Sequence, residues 1–272
     1  MKIAAAYHNT EPGNISANLQ ETLKMLSCLE KEQVRFALFP ELNLSGYITS
    51  KQEIKELLKY QTEAFDELRQ FSKSTQIAFA VGFPEEENEK YYITHFIFEG
   101  GEIMGKHRKT HLGPTEKSVF TAGDQIQIFK VGGLAIGMQL CFETHFPEIS
   151  YAQAKQGVNL LALGFASPKE TADEKLERFK RYLCARAYDN ACYAMVCNQN
   201  GTTSRGSVLP GLAMILDPKG KVLAEETQTG SGYCIANFDS ETITRIHQSK
   251  MAWFNHFKRN EMLRQFYEKG NV

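Results

Sequence analysis

Cys141 lies in the run LAIGMQLCFETHFPEISYAQAKQG, residues 134–157, where an apolar strand gives way to a short helix. Pro147 suits the first turn of that helix, where its missing N–H is not needed, and Gly157 suits the position just past its end. The thiol is thereby placed on a tight strand-to-helix connection, flanked by backbone N–H groups committed to neither element. Covalent acyl chemistry needs that arrangement: an exposed nucleophile with oxyanion donors beside it. A buried structural cysteine is the competing reading, since free cysteine is among the most buried residue types. Two other residues weigh against it. Glu41 follows the strand of residues 34–39 and Pro40, which cannot continue a sheet interior, and open α/β architectures build sites at strand ends. Its flanks, FP before and LNLSGY after, are apolar for a solvated carboxylate, and such surroundings push a carboxyl pKa upward, as a general base requires. Lys109 lies in KHRKTHLGPTEKSVFTAGD, residues 106–124, a few residues past a strand end, and is the lysine there best placed to point into a site. A buried lysine is costly unless paired with carboxylates; Glu41 and Glu116 are the candidate partners.

These residues need a scaffold of strands and helices. Residues 2–7 read as a short buried strand, and residues 15–32 carry Leu19, Leu23, Leu26 and Leu29 at the spacing of an amphipathic helix. A second such helix covers 51–73 and a third strand 77–83. Residues 85–90 form a charged hairpin tip, followed by strands at 91–98 and 102–106 joined through Gly100 and Gly101. After the Cys141 segment come a buried strand at 158–164, a long helix at 170–190 and a strand at 191–197; Phe165, Ala166 and Ser167, which end the first of these before Pro168, are placed to reach the same rim as Cys141. Strands at 207–216, 221–225 and 233–238 follow, the first two joined by the turn Asp217-Pro218-Lys219-Gly220, and a short helix covers 242–248. Alternating β and α followed by a β-rich middle indicates an α/β fold with long antiparallel sections.

The 272 residues can bury a sizeable core and contain no linker, so a single domain over 1–272 is expected, with 251–272 as a C-terminal tail. That tail is aromatic and basic, with Trp253, Phe254, Phe257 and Phe266, a composition that packs against another subunit. A net charge of −1 gives no electrostatic case for nucleic acid or a membrane surface. The six cysteines form no CxxC pair, which favours free thiols in a reducing compartment. With no signal-peptide core and no membrane-length apolar run, a cytoplasmic location is expected. His107 and His111 have the i, i+4 spacing of a metal pair, but Gly113-Pro114 opposes the helix that would make it useful, so no metal site is expected.

The three stretches together, FPELNLSGY, KHRKTHLGPTEKSVFTAGD and GMQLCFETHFPE, with ARAYDNACY, NQNG and LDPKG further on, resemble the nitrilase superfamily of carbon–nitrogen hydrolases across most of the chain. The resemblance implies a four-layer α-β-β-α sandwich that dimerises through helices on one face, with the tail crossing to the neighbour. It implies Cys141 as nucleophile, Glu41 as general base, Lys109 with the Phe142 N–H as oxyanion stabiliser, and Glu116 as the second glutamate orienting the lysine and substrate. A thiolate between Lys109 and Glu41 would be stabilised by the first and formed by proton transfer to the second.

Glu143 stands where many amidase and carbamoylase branches carry aspartate, Asp189 where glutamate is usual, and SVLPGLA lacks a serine common in the family. None of these removes a catalytic residue, and the chain is short for a true nitrilase. The expected activity is cysteine-dependent hydrolysis of a non-peptide C–N bond, in a small linear amide or N-carbamoyl amine, through a thioester that releases ammonia. Nitrile hydrolysis or acyl transfer by the same residues, an idle scaffold and a redox-sensing thiol are the alternatives. Tyr47, Phe142, Glu143, Phe165 and Asn198 are the candidate substrate contacts, with core packing the competing reading for Phe142 and Phe165 and pairing with a nearby arginine the competing reading for Glu143. No cofactor is expected; the partners expected are a small amide or carbamoyl substrate and further copies of the chain.

Overall fold

The computed structural model describes residues 1–249 and 251–269, and side chains as far as residue 264. The chain begins with β1 (Lys2–Tyr7), β2 (Asn9–Thr10), α1 (Ile15–Lys31), β3 (Val34–Leu38), α2 (Lys51–Leu58) and α3 (Gln61–Ser74). It continues through β4 (Ala78–Glu87), β5 (Lys90–Glu99), β6 (Glu102–Arg108), β7 (Ile128–Val131) and β8 (Leu134–Leu140). A 3-10 turn over Cys141–His145 leads to α4 (Pro147–Lys155), β9 (Leu160–Phe165), α5 (Ala172–Asn190) and β10 (Tyr193–Asn198). The remaining elements are β11 (Asn200–Thr202), β12 (Val208–Leu209), β13 (Leu212–Leu216), β14 (Val222–Glu226), β15 (Gly232–Asn237), α6 (Ser240–Gln248) and α7 (Asn260–Lys269).

Two six-stranded sheets form, ordered β15-β1-β3-β4-β5-β6 and β14-β13-β10-β9-β8-β7. Alternation along each strand sorts its side chains between two interfaces. From β1, Ala4 and Ala6 join Leu19, Leu26, Phe65 and Leu68 under α1 and α3. Ile3, Ala5 and Tyr7 face the other way and meet Met138, Leu160 and Met195 of the second sheet. On that sheet's far side, Leu161, Leu163 and Val196 pack on Leu176, Phe179 and Leu183 of α5. Three apolar interfaces therefore separate four layers, the α-β-β-α sandwich expected. Because both faces of the central strands are covered, IAAAY within β1 and LLALGF read as continuous apolar runs.

Several boundaries differ from the sequence expectation. The helix at 51–73 is two helices, broken at Lys59 and Tyr60, whose N–H groups turn back to Glu56 and Leu57. The hairpin tip shrinks to Asn88 and Glu89 because β4 and β5 pair through Glu87 and Lys90, and both tip residues adopt the positive φ of a tight two-residue turn. The strand at 207–216 is interrupted at Pro210, which has no N–H for a ladder, and β7 was not anticipated. Among the described residues no helix is long and apolar enough to cross a membrane.

Candidate functional site

The segment after β3 carries Glu41 through a buried passage with no strand partner of its own, so its polar groups are satisfied one by one. Phe39 N–H donates to Ala80 O at 3.0 Å, Leu44 N–H to Gly82 O at 3.2 Å, and Gly82 N–H to the side-chain oxygen of Asn43 at 2.8 Å. His95 Nε2 donates to Phe39 O at 2.9 Å; burial pulls this imidazole down to about 4, so it stays neutral. Gln199 Nε2 donates to Leu42 O at 3.2 Å. Leu42 itself has φ 54°, a strained value for a leucine that persists because its surroundings over-determine it. Gly82 permits the approach, since a Cβ there would lie 2.2 Å from Leu42 N.

The result is a wholly buried Glu41 carboxylate, with Oε2 accepting from Ala166 N–H at 3.2 Å and Oε1 lying 2.7 Å from Lys109 Nζ. Lys109, 1 % exposed, is placed where β6 has ended and its N–H still pairs with Ile93 O. Its ammonium also meets Glu116 Oε1 at 2.7 Å. Glu116 in turn accepts from Tyr47 OH at 2.8 Å and, through Oε2, from Gly113 N–H at 2.6 Å. One cation thus lies between two buried carboxylates. Burial pushes the Glu41 carboxyl up to about 7, opposed by Lys109 and assisted by Glu116. Burial alone would pull the Lys109 ammonium down, but Glu41, Cys141 and Glu116 carry it well above its ordinary value.

Cys141 opens the 3-10 turn with φ 41°, a left-handed conformation that ends β8 and turns the thiol out of the strand. The Ala166 N–H is directed at this thiol as well as at Glu41. Burial and then Glu41 push the thiol up to about 12, against the pull of Lys109. The resting nucleophile is therefore a neutral thiol. The thiolate expected from the residue types has to be made by proton transfer during reaction.

The other anticipated residues divide. Tyr47 reaches the site through its hydrogen bond to Glu116, and Phe142, half-buried against His145 and Phe146, lines a cleft with Thr110, His111 and Lys117. Three others are not placed on a substrate rim. Phe165 is 1 % exposed and packs on Phe179 with ring centroids 4.3 Å apart. Asn198 is wholly buried, its amide spent on Ser167, Gln199 and Pro210 backbone groups. Glu143 is also wholly buried, bonded to His107, Thr110 and Leu140. All three lie at strand or turn ends, where sequence does not distinguish a side chain facing the cleft from one facing the core.

Sequence reasoning placed Ala166 at the rim of Cys141 but gave its backbone N–H no role, since that group carries no residue signature, and it missed His107. The latter had a signal: two residues before Lys109 on an extended segment puts both on one face. Among the described residues, no group of three or more His, Cys, Asp or Glu is placed to hold a metal ion.

The profile of the family described as carbon-nitrogen hydrolase matches residues 2–248. An (R)-stereoselective amidase from Pseudomonas sp. is 27 % identical over 83 % of this chain and 80 % of its own. A nitrilase from Pyrococcus abyssi is 24 % identical over 88 % and 90 %. In fold, the chain is similar to a mutant of the amidase from Nesterenkonia sp. that shows covalent addition of the acetamide moiety of fluoroacetamide at its active-site cysteine. That likeness has a TM-score of 0.85 at 23 % identity, over 98 % of this chain and 96 % of the other. With the family profile running over nearly the whole chain, this protein belongs to the carbon–nitrogen hydrolase family.

Proposed function

We propose that the protein hydrolyses a small linear amide or an N-carbamoyl amine through a thioester on Cys141, releasing ammonia. The observation that carries this reading is the contact of Lys109 with both Glu41 and Glu116 beside a neutral Cys141 thiol. Glu41, with its affinity for a proton raised to about 7, takes the thiol proton as sulfur attacks the carbonyl carbon. The C–S bond forms, and the negative charge on oxygen is met by the Lys109 ammonium and the Phe142 N–H. As the C–N bond breaks, Glu41 returns the proton to the departing nitrogen. Glu41 then takes a proton from water, which attacks the thioester; the C–S bond breaks and the thiol is re-formed. Glu116, held by Tyr47 and Gly113, keeps the ammonium in place through both half-reactions.

Support for an amide substrate comes from the amidase among the relatives and from the covalent acetamide adduct on the cysteine of the amidase that shares the fold. All six cysteines are free, which agrees with a reducing, cytoplasmic setting. The exposed Met251, Phe254 and Phe257 of the tail, with Phe254 leaning on Tyr188 of α5, support subunit contact through that helical face; the side chain of Phe266 lies outside the described residues.

Ammonia release from a panel of small amides, N-carbamoyl compounds, ureides and nitriles tests the reading, with Cys141→Ala alongside. Release that disappears in the mutant, with a trapped thioester mass on Cys141, supports it. Release from nitriles alone, or none from any amide or carbamoyl compound, overturns it.

A further inference from the structure

Glu143 follows Cys141 by two residues, yet its carboxylate faces away from solvent and meets four donors. Oε1 accepts from Thr110 N–H at 2.9 Å and Thr110 Oγ1–H at 2.5 Å. Oε2 accepts from His107 Nε2–H at 2.9 Å and from Leu140 N–H at 2.6 Å. An ionised carboxylate offers about four acceptor sites, so none remains for a substrate. Burial would push this carboxyl up, but His107 and Thr110 overcome it and hold it below its ordinary value, in the charged form the four donors require.

The donors come from two places that no strand pairing joins. His107 and Thr110 flank Lys109 at the end of β6, the edge of one sheet, whereas Leu140 is the last residue of β8 in the other sheet, immediately before Cys141. Lys109 and Cys141 are thus each within one residue of a backbone N–H bonded to the same carboxylate. Their relative position is what the reaction depends on, because an oxyanion formed at Cys141 must fall within reach of the Lys109 ammonium.

Resting on the hydrolytic reading of Cys141, we propose that Glu143 is a positioning residue that ties the Lys109 strand end to the Cys141 turn and so sets the distance between nucleophile and oxyanion cation. It touches no reacting atom. A glutamine in its place keeps one acceptor oxygen but turns an NH2 toward either the Thr110 pair or the His107 and Leu140 pair, donor against donor. The bracket then opens on one side while the length and volume of the side chain are unchanged.

The test compares wild type, Glu143→Gln and the milder Thr110→Val, which removes a single hydroxyl donor. For each, the rate of Cys141 alkylation by iodoacetamide is followed by peptide mass, the thermal midpoint is recorded, and kcat and KM are measured on whichever amide the wild type turns over. Loss of a hydrogen bond to a charged group corresponds to about 10–150-fold where the whole of it is felt in the rate. The expected result is a fall of that size in both alkylation rate and kcat for Glu143→Gln, a smaller fall for Thr110→Val, and KM little changed. Wild-type alkylation in folded Glu143→Gln overturns the proposal, as does an effect confined to KM, which would make Glu143 a substrate contact. Should Glu143→Gln not fold, wild-type alkylation in Thr110→Val overturns it equally. Alkylation displaces iodide and needs no amide hydrolysis, so slowed alkylation in the variants alongside a wild type that hydrolyses no amide would sink the hydrolytic reading and leave the bracket standing.

Discussion

Lys109 Nζ lies 2.7 Å from Glu41 Oε1, with both side chains wholly removed from solvent. The same ammonium holds Glu116 at an equal distance, so two buried carboxylates depend on one cation. Breaking a buried pair by removing one partner is far more costly than the net worth of the pair, because a charge is left uncompensated.

Lys109→Met is therefore expected to lower stability at neutral pH by about 3–5 kcal/mol. The sign with pH follows from burial. The Glu41 carboxyl already sits above its ordinary value, at about 7, and losing the cation raises it further. A carboxyl with a raised folded-state pKa favours the folded state at low pH, and that advantage is lost as pH rises through the folded value. Urea unfolding should show a larger deficit at pH 8 than at pH 5.5, and an equal deficit at both would contradict this account.

Activity should have an acid limb set by Glu41. Below about 7 the carboxyl carries a proton and cannot accept one from the thiol, so kcat/KM should rise tenfold per pH unit up to that point and then level. Because the Cys141 thiol is pushed up to about 12, it remains protonated through the working range and sets no limb there. Alkylation of Cys141 should follow the same acid limb in wild type and lose it in Glu41→Gln. A limb that persists in Glu41→Gln would assign the base elsewhere.

Tyr47→Phe removes the 2.8 Å hydrogen bond to Glu116 Oε1 without altering packing volume. A hydrogen bond to a charged group contributes about 1.5–3 kcal/mol, which is about 10–150-fold if the whole of it is felt in kcat. A loss in kcat with KM preserved is expected; a change confined to KM would instead make Tyr47 a direct substrate contact.

Gly82→Ala tests the support behind Glu41. The new Cβ would meet Leu42 N at 2.2 Å and His95 at 2.9 Å, and the first of these is backbone that has no room to move. Loss of both stability and Cys141 reactivity is expected. Cys141→Ala, by contrast, should keep the wild-type thermal midpoint within a few degrees while losing turnover. Wild-type behaviour of Gly82→Ala would show that the Glu41 segment is less constrained than its packing indicates.

The strands and the helices under them were legible in the sequence because apolar periodicity records which faces are covered, whereas the four-layer arrangement was implied only by the resemblance to the nitrilase superfamily. IAAAY within β1 and LLALGF, apolar throughout, read as strands buried on both sides. Glu41, Lys109 and Cys141 stood out too, since each stands where an element must end and a glutamate or a lysine is costly to bury. Sequence left undecided which way the side chains beside them point. Glu143, Phe165 and Asn198 have the composition of a substrate rim, yet tertiary packing turns all three inward: Phe165 onto Phe179 of α5, Asn198 onto backbone groups of Ser167, Gln199 and Pro210, and Glu143 onto His107, Thr110 and Leu140. Only the folded chain brings the Ala166 N–H between Glu41 and Cys141, and only there does desolvation leave the nucleophile a thiol. Residue types supplied the charges; the depth of burial, a property of the whole sandwich, decided their protonation.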